Sequence, residues 1–304
     1  MASLAETVRY LNARNRVRHP NLVGSGEALQ TLEDRVQVRF AGLTFTSQFD
    51  PMVDATRGRV VAHEALAVIE RNAAAVSSET LFGRNREDEE VVFLDRLCRT
   101  IHALNFGAQL PSAKQLLLNV TARHLLVVRD HGTAFEAVLK QVGLSTERLV
   151  IQMSGEHLEL DVLRAAFQNF RSRGFRVALD HFGRGASNVD RLWALQPDIV
   201  RLDGAHLQAA AGDRRVRTAL ARFVQVARSH DAKVIIPGLD TEALVVLARE
   251  AGADWLQGRA VVALDPKSGR PGQPSQPTRE ARPSVRPSGS FSRVPSDDDV
   301  GSVG

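Results

Sequence analysis

Val60-Val61-Ala62-His63-Glu64-Ala65-Leu66 is a strand-like apolar run that carries a carboxylate near its end. Six further runs of this kind follow: Leu116–Val120, Leu149–Gln152, Arg176–Asp180, Ile199–Leu202, Lys233–Ile236 and Trp255–Gln257. Their endings read Glu64, Asn119, Gln152, Asp180 with His181, Arg201, Asp240 just past Pro237, and Gln257. A lone polar residue at a strand end usually caps a helix or anchors a loop. A polar group at every end is different, because each must leave an apolar strand to face one common mouth.

Stretches with helical periodicity separate the runs, at roughly 86–104, 133–141, 158–173, 190–195, 214–229 and 241–251. Such alternation of strand and helix predicts parallel strands joined by helical crossovers. Ahead of them, Val36, Val38 and Phe40, then Leu43, Phe45 and Phe49, predict a hairpin turning at Ala41-Gly42. Seven strands and one arm of that hairpin fit a closed TIM-like (β/α)8 barrel with one antiparallel strand. Reactive groups in such barrels lie at the C-terminal strand ends.

The barrel domain is expected over residues 36–265. Residues 1–35 read as a helical or flexible segment, with Leu4, Val8 and Leu11 on one face of a solvated helix. Residues 266–304 hold seven of the twelve prolines, many Ser and Gly, and no apolar periodicity. Such a segment cannot offset the entropy of ordering, so a disordered tail is expected.

The formal net charge is only +4, and 43% of the residues are hydrophobic. The pI near 9.8 reflects arginine in place of lysine, since the lysines are Lys114, Lys140, Lys233 and Lys267. No basic patch interleaved with aromatics accompanies it, so direct nucleic-acid binding is not expected. Neither a signal peptide nor a membrane span is seen, and a cytoplasmic protein without membrane attachment is expected. Cys98 falls in the helical pattern Val91, Leu94, Leu97, Ile101 and is expected to be buried.

The endings and their neighbours resemble the EAL family, the bacterial phosphodiesterases of cyclic di-GMP, over about residues 49–264. Phe49-Asp50-Pro51-Met52-Val53-Asp54, Gly58-Arg59 and His63-Glu64-Ala65-Leu66 are similar to the family's opening segment. Leu118-Asn119-Val120-Thr121, Leu179-Asp180-His181-Phe182-Gly183 with Gly185 and Ser187, and Val200-Arg201-Leu202-Asp203 follow in the family's order. Pro237-Gly238-Leu239-Asp240-Thr241 and Leu256-Gln257-Gly258 complete it. The resemblance implies a site where two Mg²⁺ or Mn²⁺ ions activate water against a phosphodiester. It places Glu64, Asn119, Gln152 and Asp180 on metal-ligand positions, and His181, Arg201 and Asp240 on catalytic ones. Leu66, Arg184, Asp203 and Gln257 fall on ligand-binding or supporting positions.

Several of these positions carry altered chemistry. Gln152 stands for a glutamate and His181 for a bridging aspartate, which removes two negative charges from a site meant for two divalent ions. Each lost carboxylate is worth on the order of several kcal/mol of ion attraction. Arg201 stands for a lysine, and a guanidinium is effectively never a proton donor. Pro237 and Gly155 replace further glutamates, and Asp240 is one methylene shorter than the family's glutamate. Ala67-Val68 stands where a phosphate-pairing arginine is usual, and Arg184 and Ala186 replace Thr and Tyr.

The expected function is therefore a catalytically inactive EAL-like regulatory domain in cyclic di-GMP signalling. It would act by binding a protein partner or by sensing the dinucleotide, with no required cofactor and with a homodimer left open. The alternative is a weak phosphodiesterase giving linear pGpG, using Mg²⁺ or Mn²⁺ on Glu64, Asn119, Gln152 and Asp180. A rebuilt metal site at His181 with Asp180 and Asp203 is a further option, since imidazole suits Zn or Ni. Retained Glu64, Asn119 and Gln257 could instead tie the mouth together by hydrogen bonds, and His63 should point away from Glu64.

Overall fold

A computed structural model describes residues 3–23, 28–33, 35–78, 82, 86–154, 156, 158–185 and 189–262. The tail 266–304 and positions Gly155, Ala186 and Ser187 lie outside the described residues. The strands are β1 (Leu29–Leu32), β2 (Arg35–Phe40), β3 (Leu43–Asp54), β4 (Val60–Arg71), β5 (Ala74–Ala75) and β6 (Leu116–Val120). They continue as β7 (Leu149–Ser154), β8 (Arg176–Phe182), β9 (Ile199–Leu202), β10 (Lys233–Ile236) and β11 (Trp255–Leu256). The sheet runs β1-β2-β3-β11-β10-β9-β8-β7-β6-β4-β5 and closes on itself through β3 and β4.

The closed part is the expected eight-stranded barrel. β4 and β6 to β11 run parallel. β3 is the antiparallel strand, paired with β4 on one side and β11 on the other. The β2–β3 hairpin turns where expected, with Ala41 at φ 49° and Gly42 at φ 73°. Both central residues thus take the left-handed conformation that a two-residue hairpin turn with matching twist requires.

Each barrel strand contributes one residue to an apolar layer inside: Met52, Ala62, Leu117, Val150, Ala178, Ile199, Ile235 and Trp255. Because side chains alternate along a strand, the next residue to face inward lies two positions on. For six of the parallel strands that residue is Glu64, Asn119, Gln152, Asp180, Arg201 or Gln257. On antiparallel β3 the count runs backwards, and the residue is Asp50. The polar layer of the mouth is thus set directly above a packed apolar plug.

Outside the barrel, helix Leu160–Arg171 packs Leu163, Ala166, Phe167 and Phe170 into the main core. Helix Asp88–Gln109 serves two cores at once. Ala103 and Phe106 face the barrel, whereas Phe93, Leu94, Leu97, Cys98 and Ile101 join a second cluster with β1, β2 and the first helix. Cys98 is buried, as expected.

The N-terminal segment departs from expectation in two ways. Helix Leu4–Arg18 is packed rather than solvated, with Val8 and Leu11 buried, and residues 29–32 form strand β1. Side-chain amides anchor both outer strands. Asn12 donates to Leu29 O at 2.8 Å and accepts from Leu29 N at 3.0 Å. Asn105 does the same for Val36, at 2.9 and 2.6 Å. These long-range pairings leave no trace in local periodicity. No helix among the described residues is long and apolar enough to cross a membrane.

His102 sits buried between helix and sheet, with its Nδ1 2.8 Å from Ser47 Oγ. Burial pushes its pKa from 6.5 down to about 3, against a weak pull from Asp95. The unfolded chain binds this proton as pH falls through 6.5, whereas the folded chain binds it only near 3, so stability declines across that window. We expect urea unfolding to show a loss of about 1.4 kcal/mol attributable to His102 between about pH 7.5 and about pH 5.5. His102→Gln should remove that part of the pH dependence; an unchanged slope would rule it out.

Candidate functional site

The polar layer forms one hydrogen-bonded network. Glu64, 4% exposed, accepts from Asn119 Nδ2 at 3.2 Å through Oε1 and from Gln257 Nε2 at 2.8 Å through Oε2. Asp180, 6% exposed, accepts from Gln152 Nε2 at 2.9 Å. The same Nε2 lies 2.9 Å from Asn119 Oδ1 and 3.5 Å from Glu64 Oε1. Gln152 therefore turns its N–H groups, not its oxygen, toward the acceptors. Its Oε1 is buried without a partner among the described residues, which costs about 1–3 kcal/mol.

Arg201 spans the two carboxylates. Its Nη1 is 3.3 Å from Asp180 Oδ1, and its Nη2 is 3.4 Å from Glu64 Oε2 and 3.3 Å from Gln257 Oε1. Burial by itself would lower the arginine pKa, but Glu64 and Asp180 outweigh it and hold it above its ordinary value. The guanidinium is thus a fixed internal counter-ion for both carboxylates.

His181 follows Asp180 at a register shift in β8, with φ 52°. Its backbone N–H donates to Asp180 Oδ1 at 2.7 Å. Its ring lies between two carboxylates, Nε2 at 3.5 Å from Asp180 Oδ2 and Nδ1 at 3.6 Å from Asp203 Oδ2. The two ring nitrogens face different carboxylates, so they share no common point. Among the described residues, no group of three or more His, Cys, Asp or Glu comes together as a metal-ligand set.

The structure brings Glu64, Asn119, Gln152, Asp180, Arg201 and Gln257 together as expected, with His181 and Asp203 beside them. Asp203 also caps helix Gly204–Gly212 through a 2.8 Å bond from Ala205 N. Asp240 is a correction. It is solvent-facing and accepts from Arg259 Nε at 3.1 Å, because the Pro237-Gly238 turn carries it past the mouth. Arg184 is 57% exposed and is neither free nor aimed at the network. It pairs with Glu156 at 3.0 Å and Asp203 at 3.5 Å. Leu66 is half-buried, two residues beyond Glu64 on the same strand face. His63 lies on the opposite face from Glu64, as expected, and burial lowers its pKa.

Asp50 is a mouth residue that sequence reasoning passed over. It pairs directly with Glu64 across β3 and β4 and accepts from Gln48 Nε2 at 2.7 Å. Burial raises its pKa, and Glu64 adds to the rise while Gln48 opposes it. The signal was present in the alternation Gln48, Asp50, Met52, but it became readable only once β3 was known to run antiparallel.

Removing Arg201 should leave Glu64 and Asp180 as buried carboxylates without their counter-ion. Arg201→Met is expected to lower stability by about 3 kcal/mol in urea unfolding near neutral pH. Arg201→Lys should lose less, because it keeps the charge but reaches one carboxylate rather than two. Equal stability of wild type and Arg201→Met would contradict the bridging role.

Comparison with known proteins agrees with this architecture. The model of the EAL domain matches residues 33–263. YkuI of Bacillus subtilis, an EAL-domain protein, is 24% identical over 159 residues, which span 51% of this chain and 39% of YkuI. Its structure in complex with cyclic di-GMP and calcium superposes with a TM-score of 0.63 at 22% identity, covering 72% of this chain and 55% of that one. The blue light- and temperature-regulated antirepressor BluF of Escherichia coli is 22% identical over 217 residues, 69% of this chain and 52% of BluF. A standalone EAL protein of Vibrio cholerae, solved with cyclic di-GMP, superposes with a TM-score of 0.62 at 19% identity, covering 70% and 89% of the two chains. This chain thus spans about half or less of the length of the curated relatives named here. With its barrel, its ordered motifs and a family match over most of the chain, this protein belongs to the EAL domain family.

Proposed function

We propose that this chain is a regulatory EAL domain that does not hydrolyse cyclic di-GMP and acts through a protein partner or by sensing the dinucleotide. One observation carries the reading. The oxygens of Glu64 and Asp180 are taken up by Arg201 and Gln152 Nε2, at 2.9 to 3.5 Å. Both are hydrogen-bond donors, and one is a permanent cation.

As arranged, these residues do not fit two hard cations. Such ions need oxygen donors in near-octahedral order. Here an amide presents N–H groups instead of a carboxylate oxygen, and an imidazole stands where the family has a bridging aspartate. Glu64, Asp180 and Arg201 sum to a formal charge of −1. A divalent ion close to the guanidinium would meet repulsion of about 4 kcal/mol per unit of ion charge at an effective dielectric of about 20. The barrel itself does not depend on ions, since fold and chemistry are separable. The name of BluF, an antirepressor, supports a regulatory role for the domain.

A second reading has one observation in its favour. The buried Oε1 of Gln152 has no partner among the described residues. With the amide turned, that oxygen would join Glu64, Asn119 and Asp180 around a single Mg²⁺ or Mn²⁺, as in a weak phosphodiesterase.

Isothermal titration with cyclic di-GMP, with and without Mn²⁺, together with an assay for linear pGpG, separates these readings. Binding without turnover supports the sensor branch, and no binding supports the partner branch. Turnover that disappears in Glu64→Ala would overturn the proposal in favour of the phosphodiesterase. Restoring the carboxylates provides a second check. Gln152→Glu combined with His181→Asp should gain thermal stabilisation by millimolar Mn²⁺ that the wild type lacks, by the linkage of binding to folding. An equal shift in the wild type would mean that its own residues already hold the ion.

A further inference from the structure

We propose that the outward face of helix Arg214–Arg228, with Trp193 beside its end, docks an acidic segment of a protein partner. This rests on the partner branch of the regulatory reading above and names the surface that would serve it. The helix has two distinct sides. Leu220, Val224 and Ala227 are buried, with Val216, Phe223 and Val226 packed beside them in the main core. Arg214, Arg215, Arg217, Arg222 and Arg228 are exposed. At about 100° per residue these arginines fall within one arc of about 160°. The helix carries no Asp, Glu or Lys.

These arginines are placed against the preference of the helix itself. Arg214, Arg215 and Arg217 stand at its N-terminal end, the positive pole of the backbone dipole, where acidic residues are favoured. The N-cap Asp213 turns its carboxylate to the backbone, accepting from Arg215 N at 2.7 Å. Arg228 is held at the other end, donating to Gly252 O at 3.3 Å and lying 3.9 Å from Asp254. Among the described residues, no carboxylate forms an ion pair with Arg214, Arg215, Arg217 or Arg222. Cations that oppose their own helix and lack internal partners point to negative charge from outside the chain.

The chemistry of this face favours a protein over other polyanions. Its cations are all arginine, whose planar fork pairs with carboxylates and which protein interfaces favour over lysine. Trp193 is 56% exposed, and its ring lies 6.4 Å from that of His230, two residues past the helix end. Tryptophan and arginine are the side chains that most often carry the binding energy of protein interfaces. A lipid surface takes up the apolar side of an amphipathic helix, and here that side is committed to the barrel core. Single-stranded nucleic acids stack on aromatics set among the cations, and no aromatic stands among these arginines. A second copy across a two-fold axis would set arginine against arginine.

The test is fluorescence anisotropy of the full chain with a short labelled peptide of glutamates around a leucine pair, against the same peptide with glutamine for glutamate. The acidic peptide should bind about tenfold tighter. Arg214→Gln, Arg217→Gln and Arg222→Gln combined should weaken it about tenfold, and Trp193→Ala about threefold. Arg35→Gln, Arg39→Gln and Arg71→Gln remove the same charge from exposed positions elsewhere, and together should change binding by less than about twofold. Equal binding of the two peptides, an equal loss in both triple variants, or no loss in Trp193→Ala would overturn the proposal. So would duplex DNA or phosphatidylserine vesicles that bind more tightly than the peptide and are lost in the first triple variant, or a dimer that this variant dissolves. The assay for linear pGpG contains no peptide, so failure of the regulatory reading and failure of this surface show in separate measurements.

Discussion

The two-residue period of eight strands closed into a ring is the constraint on which the rest of this molecule depends. Once β3 pairs with both β4 and β11, no strand can slip by one residue without turning its interior side chains outward. The plug from Met52 to Trp255 therefore dictates the layer above it. Glu64, Gln152, Asp180 and Gln257 are buried because backbone geometry puts them there, whether or not their chemistry is used. Burying such groups obliges them to find partners.

That obligation explains the character of the mouth. Two carboxylates held close together need positive charge between them. Here the chain itself supplies it, through Arg201 at 3.3 and 3.4 Å. Gln152 adds N–H groups from the side. The network links β4, β6, β7, β8, β9 and the end of β11 by side chains alone, so these residues also tie the barrel's open end.

Helix Asp88–Gln109 joins this barrel to a second, smaller core. One side of it packs on the barrel and the other on β1, β2 and the first helix. The second core is closed by the amides of Asn12 and Asn105 on strand backbone and by large buried side chains such as Leu11, Phe45, Ile69 and Phe93. Leu11, Leu29 and Phe93 of this core line a small hollow together with Arg14, Arg18 and Arg96.

Much of this was legible in the sequence. Strand positions, the hairpin at Ala41-Gly42, the barrel and six of the mouth residues followed from periodicity and from ordered motifs, because those signals are local and repeat along the chain. What the sequence could not yield depends on who meets whom in space. Asp50 joined the mouth because β3 runs antiparallel, and Asp240 left it because a turn carried it outward to Arg259. The first helix became core because residues far along the chain cover it. Amino-acid order determined which groups face inward, through the fixed alternation of strand side chains. Only tertiary packing decided which donor each buried oxygen received, since a hydrogen bond or ion pair depends on distances of a few ångströms between segments that the chain's order leaves far apart.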